Sequence, residues 1–315
     1  MSHRLLLPLL AIALVALGCS PGGSTTDITS PDGSLRVDLS LPDGQPHYSV
    51  VADGDTVVAP SPMGFTFENA PPMSNDFVVT TTQSQTVDTT WTPVWGPDST
   101  VVNHYRELTV GLQEQNDSQR RLTLVFRAYD DGVAFRYQWP EQSGLDSLRI
   151  ASEDTQFRFT DDHTSWWIPD DYDGYEWRYA QTPLSAINDS ASAVSYNSYL
   201  EEDADGTPFD STSKQNDPGA VNTPLTLRSP DETRYVAVHE AALTDYAGMT
   251  LQAVPGEPTA LQSNLVPWPD GTKVKADLPH QTPWRTLQVA DTPGDLVESE
   301  LIALLAPERD DSVLP

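Results

Sequence analysis

Leu35, Val37, Leu39 and Leu41 alternate with Arg36, Asp38 and Ser40 over residues 34–42, the period-two pattern of a strand with one buried face. The turn signals Pro42-Asp43-Gly44 and Asp53-Gly54 bracket a second strand at 47–51, and further strands are read at 55–60 and 63–67. Residues 120–128 and 133–139 flank Tyr129-Asp130-Asp131-Gly132, whose Asp-Gly step marks a tight hairpin. Later strands are predicted over 234–239, 249–254, 273–278, 286–290 and 301–305. Beyond the N-terminal segment no stretch shows a helical amphipathic period. Many short strands, 27 prolines and no alternation of strand with helix predict an all-β fold, a large antiparallel sandwich. Residues 188–222 break the pattern as a long polar excursion, and such loops are usually functional or disordered.

The first residues read as an export signal. Met1-Ser2-His3-Arg4 gives a positive start, residues 5–17 an apolar run, and Ala16-Leu17-Gly18-Cys19 a small-residue cleavage site. The run is shorter than the roughly 20 residues a membrane-spanning helix needs. Cys19 is the chain's single cysteine. Its setting resembles the lipobox of bacterial lipoproteins, with Ala16 where leucine is commonest. That resemblance implies lipidation at Cys19 and an exported protein of the periplasm or outer membrane, the alternative being simple secretion with an inert cysteine. The expected organisation is a signal peptide at 1–18, a Gly/Ser/Thr-rich tether at 19–34, a globular domain at 35–308 and, at 309–315, the start of a linker to a further domain. With one cysteine, no internal disulfide staples the fold, so its stability rests on its core.

Charge narrows the partners. Asp and Glu number 46 against 17 Lys and Arg, a net charge of −29, which would repel nucleic acid. The acids are scattered along the whole chain. That favours an acidic, strongly hydrated surface suited to high salt over a set of cation sites.

Several long strings then carry a resemblance: TTWTPVWG (89–96), NHYRELTV (103–110), RRLTLVFRAYDDGVAFRY (120–137), DHTSWWIPDDYDGYE (162–176), NTPLTL (222–227), VAVHEAALTDYAGM (236–249), PWPDG (267–271) and TPWRTLQVAD (282–291). In this order they resemble the N-terminal domain of glycoside hydrolase family 97, the α-glucosidase and α-galactosidase family, over roughly residues 30–308. The resemblance implies an antiparallel β-supersandwich similar to galactose mutarotase-like proteins. It also implies a following (β/α)₈ barrel that carries the catalytic carboxylates, for which residues 1–315 show no βα alternation. In calcium-dependent members one N-terminal-domain carboxylate joins barrel glutamates around Ca²⁺, and the glutamate of the HEA motif, here Glu240, looks like that residue. A carboxylate suits a hard cation that takes 6–8 oxygen ligands.

The expected function is therefore a cleft-shaping, calcium-ligand-donating domain of an exo-acting α-glycosidase acting on an α-glucoside or α-galactoside, inactive without its barrel. A free-standing, lipid-anchored carbohydrate-binding module is the alternative, and a mutarotase-like epimerase a third reading. Tyr175, Glu176, Trp166 and Trp167, in the densest acidic-aromatic segment, are candidate cleft residues, against a bland reading as core and turn. Asp170, Asp171 and Asp173 with Gly174 faintly resemble an oxygen-rich cation loop but lack the EF-hand pattern. His104 and Glu107 lie three apart on a strand and should diverge, and His239 should point away from Glu240 for the same reason. Arg285, beside Trp284, is expected in a buried pair with an acid. Phosphate-loop, zinc-spaced and Ser-His-Asp signatures are absent from the sequence.

Overall fold

The computed structural model describes residues 26–92, 100–143, 145–172, 175, 179–187, 217 and 219–306. One antiparallel sheet contains, in spatial order, β1 (Thr26–Thr29), β2 (Leu35–Ser40), β3 (His47–Ala52), β4 (Asp55–Pro62), β11 (Gln156–Phe159), β18 (Ala260–Leu265), β17 (Met249–Ala253) and β14 (Ala220–Asn222). The larger sheet runs β13 (Ala180–Pro183), β12 (Thr164–Trp167), β15 (Leu225–Arg228), β16 (Tyr235–Ala241), β21 (Trp284–Ala290), β9 (Gly132–Trp139), β8 (Arg121–Tyr129), β7 (Val101–Glu114) and β6 (Phe77–Trp91), with β20 (His280–Gln281) beside β9. A small third sheet joins β19 (Val274–Asp277), β10 (Ser147–Glu153) and β5 (Phe65–Phe67).

The two large sheets pack face to face through alternating apolar residues. Tyr48 of β3 meets Phe135 of β9 at a ring-centroid distance of 4.6 Å, and Phe157 of β11 lies 6.5 Å from Phe135. This is the sandwich the period-two pattern predicts. The outer face of the larger sheet has a second apolar cluster. Tyr105, Val125, Tyr129, Ala134, Ala241 and Trp284 lie there beneath Leu301 and Leu305. Those two leucines belong to a short helical cap made of α1 (Pro293–Glu298) and α2 (Leu301–Leu304). Thr292 caps α1 by accepting from the Asp295 N–H, while the Asp295 carboxylate accepts from the Thr292 N–H.

Several elements differ from those the sequence predicts. Residues 301–305 are largely helical rather than a strand, because a short apolar run carries no period of its own and here it seals a sheet face. Thr26–Thr29, inside the expected tether, forms a strand paired with β2, and Ile28 is buried in the core. β16 does not end at His239 but continues through Glu240 to Ala241. Gly132 closes the hairpin at a point of close approach. A Cβ there would sit 2.7 Å from the Leu287 carbonyl and 2.7 Å from Leu301 Cδ2. Arg120 adds a buried clamp, donating to both Glu114 carboxylate oxygens at 2.6 Å and to the carbonyls of Pro71 and Pro72.

Candidate functional site: the Glu153–Arg285–Glu240 cluster

Glu240 lies directly across from Arg285 in the β16–β21 ladder. On β16 it continues the inward row of Val236 and Val238, and Arg285 continues the row of Leu287 and Val289 on β21, so both side chains point into the sandwich. Their chain neighbours Ala241 and Trp284 face the outer cluster. Arg285 is fully buried. Its Nε and Nη2 donate to Glu153 Oε1 and Oε2 at 2.8 and 2.6 Å, and its Nη1 donates to Glu240 Oε2 at 2.6 Å. Glu240 Oε1 accepts the Met249 N–H at 3.0 Å. Glu153, at the end of β10, also accepts from Thr155, Ser263 and Tyr246.

One guanidinium thus faces two carboxylates, and the shortfall falls on Glu240. Burial alone would push the Glu153 carboxyl up, but the Arg285 charge and the hydrogen bonds from Arg285, Thr155 and Tyr246 bring it below its ordinary value. The Glu240 carboxyl is pushed up by burial, with Arg285 and the Met249 N–H opposing and the Glu153 charge adding. The difference follows the geometry: a two-pronged contact with Arg285 at Glu153, a single one at Glu240. Glu240 is also the nearer to solvent, its side chain 10% exposed against 0% for Glu153 and Arg285.

Just beyond Glu240 the chain turns at Ala242 (φ 55°), a left-handed conformation that costs an L-residue about 1–2 kcal/mol. The Cβ position of Gly248 lies within 4 Å of Glu240 Oε1, Leu243 and Val266. Leu243 and Tyr175 are exposed, though the Tyr175 phenol is partly desolvated, which with the Glu240 charge raises its pKa. Trp268, also exposed, lines a cavity of about 370 Å³ with Asp245, Gly248 and Lys273. Gly248, whose Cβ position neighbours Glu240 Oε1, thus links the buried carboxylate to a surface that includes the exposed Leu243 and Trp268.

The other sequence candidates separate. Trp167 is not a cleft residue: it is fully buried in the core, where its indole N–H donates to Thr182 Oγ1 at 2.9 Å. Strand alternation turns it inward, while Trp166 faces outward, half-buried, 5.7 Å from the Arg228 guanidinium. Glu176, Cys19, Asp173, Gly174 and residues 309–315 lie outside the described residues, as does most of 188–222. Asp170 and Asp171 are buried, and Asp170 Oδ2 accepts the Asp217 N–H at 2.9 Å. His104 and Glu107 diverge as strand geometry requires: Glu107 accepts from Arg127 at 2.8 Å, and His104 pairs across to Asp88 in the β6–β7 ladder. His239 faces away from Glu240, its Nδ1 buried without a partner and its pKa lowered by burial. Arg285 has its buried acid, as expected, but Glu153 escaped the sequence reading. Among the described residues no group of three or more His, Cys, Asp or Glu side chains is arranged to hold a metal by itself.

Comparison with known proteins bears on this geometry. The family model described as "Glycosyl-hydrolase 97 N-terminal" matches residues 28–307. A retaining alpha-galactosidase of Bacteroides thetaiotaomicron is 26% identical over 302 residues, spanning 90% of this chain and 41% of that enzyme. A glycoside hydrolase family 97 enzyme from Pseudoalteromonas sp. strain K8, solved in complex with acarbose, superposes with a TM-score of 0.76 at 33% identity, covering 91% of this chain and 38% of that one. A beta-arabinopyranosidase shares the fold, with a TM-score of 0.67 at 24% identity over 84% of this chain and 40% of its own. The chain thus spans about two fifths of the length of these relatives.

Proposed function

The chain belongs to the N-terminal domains of glycoside hydrolase family 97, and from that premise we propose that it shapes the cleft of an exo-acting α-glycosidase and lends Glu240 as an oxygen ligand to a Ca²⁺ ion shared with a catalytic (β/α)₈ domain. The observation that carries this reading is the unmatched negative charge at Glu240. Its carboxylate is held by Arg285 and the Met249 N–H, has a pKa raised by burial, and lies 3.8 Å from the Cβ position of Gly248, which lines a cavity with the exposed Trp268. A buried carboxylate short of positive charge fits a hard cation as one ligand, and a cation taking 6–8 oxygens needs the others from outside the described residues.

The chemistry such an ion supplies when bound is a fixed positive charge beside the scissile bond. This chain's own residues do the positioning. Glu153 fixes Arg285 through two hydrogen bonds, and Arg285 fixes Glu240. Leu243, Trp268 and Tyr175 offer the apolar contact area on which a second domain seats. Hydrolysis itself needs a carboxylic acid and a second carboxylate flanking the glycosidic bond, and we place both in the catalytic domain. The substrate is an α-glucoside or α-galactoside, and the protein is an exported lipoprotein anchored at Cys19.

Two measurements test this. In an enzyme holding this chain together with its catalytic domain, Glu240→Gln should raise the Ca²⁺ concentration for half-maximal hydrolysis of an aryl α-glycoside by roughly 10-fold or more. An unchanged calcium dependence would sink the assignment. Residues 19–315 alone should leave aryl α-glucosides and α-galactosides uncleaved. A second reading, a lipid-anchored carbohydrate-binding module, draws on exposed Trp268 beside its cavity with Asp245 and Lys273. Calorimetric binding of a neutral disaccharide, abolished by Trp268→Ala, would favour it.

A further inference from the structure

The face of the larger sheet opposite Glu240 holds a second polar constellation, independent of the calcium reading. There the guanidinium groups of Arg127 and Arg136 pack on the Trp284 ring, 4.6 and 4.3 Å from its centroid. Arg127 also lies 4.4 Å from the Tyr105 ring and is neutralised by Glu107 at 2.8 Å. Arg136 is different. Its Nε is buried without a hydrogen-bond partner, and it forms no ion pair among the described residues. Asn103 Oδ1 is likewise buried without a partner. Both residues line one cavity of about 510 Å³, walled by Tyr105, Trp284, Leu304 at the end of α2 and Leu305 just past it.

A half-buried guanidinium with no counter-ion is an anomaly in a chain of 46 acids and 17 bases, where carboxylates are plentiful. Burial and the neighbouring Arg127 charge lower its pKa to about 10 against the opposing influence of Glu107 and Tyr105, so the cation is held there at a cost. A bound anion would remove that penalty. Two arginines against one glutamate leave a single positive charge, which suits a monoanion, and the strongly negative protein disfavours more highly charged ligands. The planar fork of Arg136 matches a carboxylate. The unpartnered Asn103 carbonyl, in the same cavity, is free to accept from a hydroxyl of that ligand.

We propose that the Arg136–Asn103 cavity is a binding site for a small hydroxy-carboxylate, a sugar acid of monosaccharide size, with the carboxylate on Arg136 and a hydroxyl donating to Asn103. Trp284 and Tyr105 hold the two guanidinium groups in place, and α2 closes one side. The site lies on the sheet face away from Glu240, so its ligand is recognised separately from the substrate of the glycosidase reading.

The test is calorimetric titration of the full chain with D-glucuronate, D-glucose and acetate. Glucuronate should bind, acetate more weakly, and glucose not measurably up to about 20 mM. Arg136→Met should weaken glucuronate binding at least ~10-fold, as loss of a charge-assisted pair does. The exposed control Arg106→Met, with the same change in net charge, should leave it intact. Asn103→Leu should weaken glucuronate and spare acetate. If Arg136→Met does not fold, Arg136→Lys, which keeps the charge and loses the fork, provides the same comparison. No glucuronate binding, equal binding of glucose, or equal losses in the Arg136 and Arg106 variants would overturn the proposal. Loss of calcium dependence in Glu240→Gln would leave it untouched, because the two sites share no residue.

Discussion

Arg285→Met is the most informative perturbation of the buried cluster. The substitution keeps an unbranched apolar stem and removes three charge-assisted hydrogen bonds, two to Glu153 and one to Glu240. Removing one partner of a buried pair typically costs about 3–5 kcal/mol, because the remaining charge is stranded. Here two carboxylates are stranded, but neither loses everything: Glu153 keeps Thr155, Ser263 and Tyr246, and Glu240 keeps the Met249 N–H. A loss of about 4 kcal/mol at pH 8 follows, which for a domain of this size lowers the melting temperature by about 8 °C. The pH dependence identifies the cause. In the wild type the depressed Glu153 carboxyl contributes stability that is present above the unfolded carboxylate range and lost as pH falls through its folded range. In the variant both acids lack the guanidinium and are raised by burial. The deficit should then shrink from pH 8 toward about pH 5, as protonation relieves them. Urea unfolding followed by tryptophan fluorescence at the two pH values measures it. A deficit below about 1 kcal/mol at pH 8, or one equal at both pH values, would refute the account.

Two further outcomes rest on other parts of the fold. Gly132→Ala forces a methyl group against the Leu287 carbonyl and Leu301 Cδ2, and should destabilise by about 1–3 kcal/mol in chemical denaturation. The Asp170 carboxyl is raised to about 7, chiefly by burial, with the charges of Asp217 and Asp171 adding and the Asp217 N–H opposing. Its folded pKa exceeds its unfolded one, so its contribution is greatest below the unfolded value and is lost as pH rises through 7. Asp170→Asn should therefore gain stability relative to wild type between pH 5 and pH 8, and a difference that stays flat over that range would contradict the placement.

The sequence revealed the sandwich wherever one strand face was apolar. Leu35, Val37 and Leu39 alternate and are buried, and the Tyr129–Gly132 hairpin is formed by its two-residue Asp-Asp turn. β6 carries no strand signal, because its Thr, Gln and Ser side chains are exposed on both faces and leave no apolar alternation. The 301–305 run was apolar without a period, so strand and helix were equally compatible with it. At the site, Arg285 advertised a buried acid because a guanidinium among apolar residues needs one. Its partner Glu153 lies 132 residues away and ends an ordinary strand pattern, so only the fold brings them together. Trp166 and Trp167 show the same limit at short range: adjacent residues of one strand end on opposite faces, and which of them turned inward depended on a register that the sequence does not carry.

That register also restricts how this gene can vary. Along β16 and β21, each position is committed to one of two environments: Glu240 and Arg285 to the polar interior, Ala241 and Trp284 to the surface under the helical cap. A one-codon insertion or deletion inside Tyr235–Ala241 would carry the acid to the wrong side and set His239 or Ala241 opposite the buried guanidinium. Lineages should therefore accept length changes in the connections between strands and purge them within this pair. The spacing from Val236 to Glu240 would then be inherited as a unit, more rigidly than the identity of any apolar residue in it.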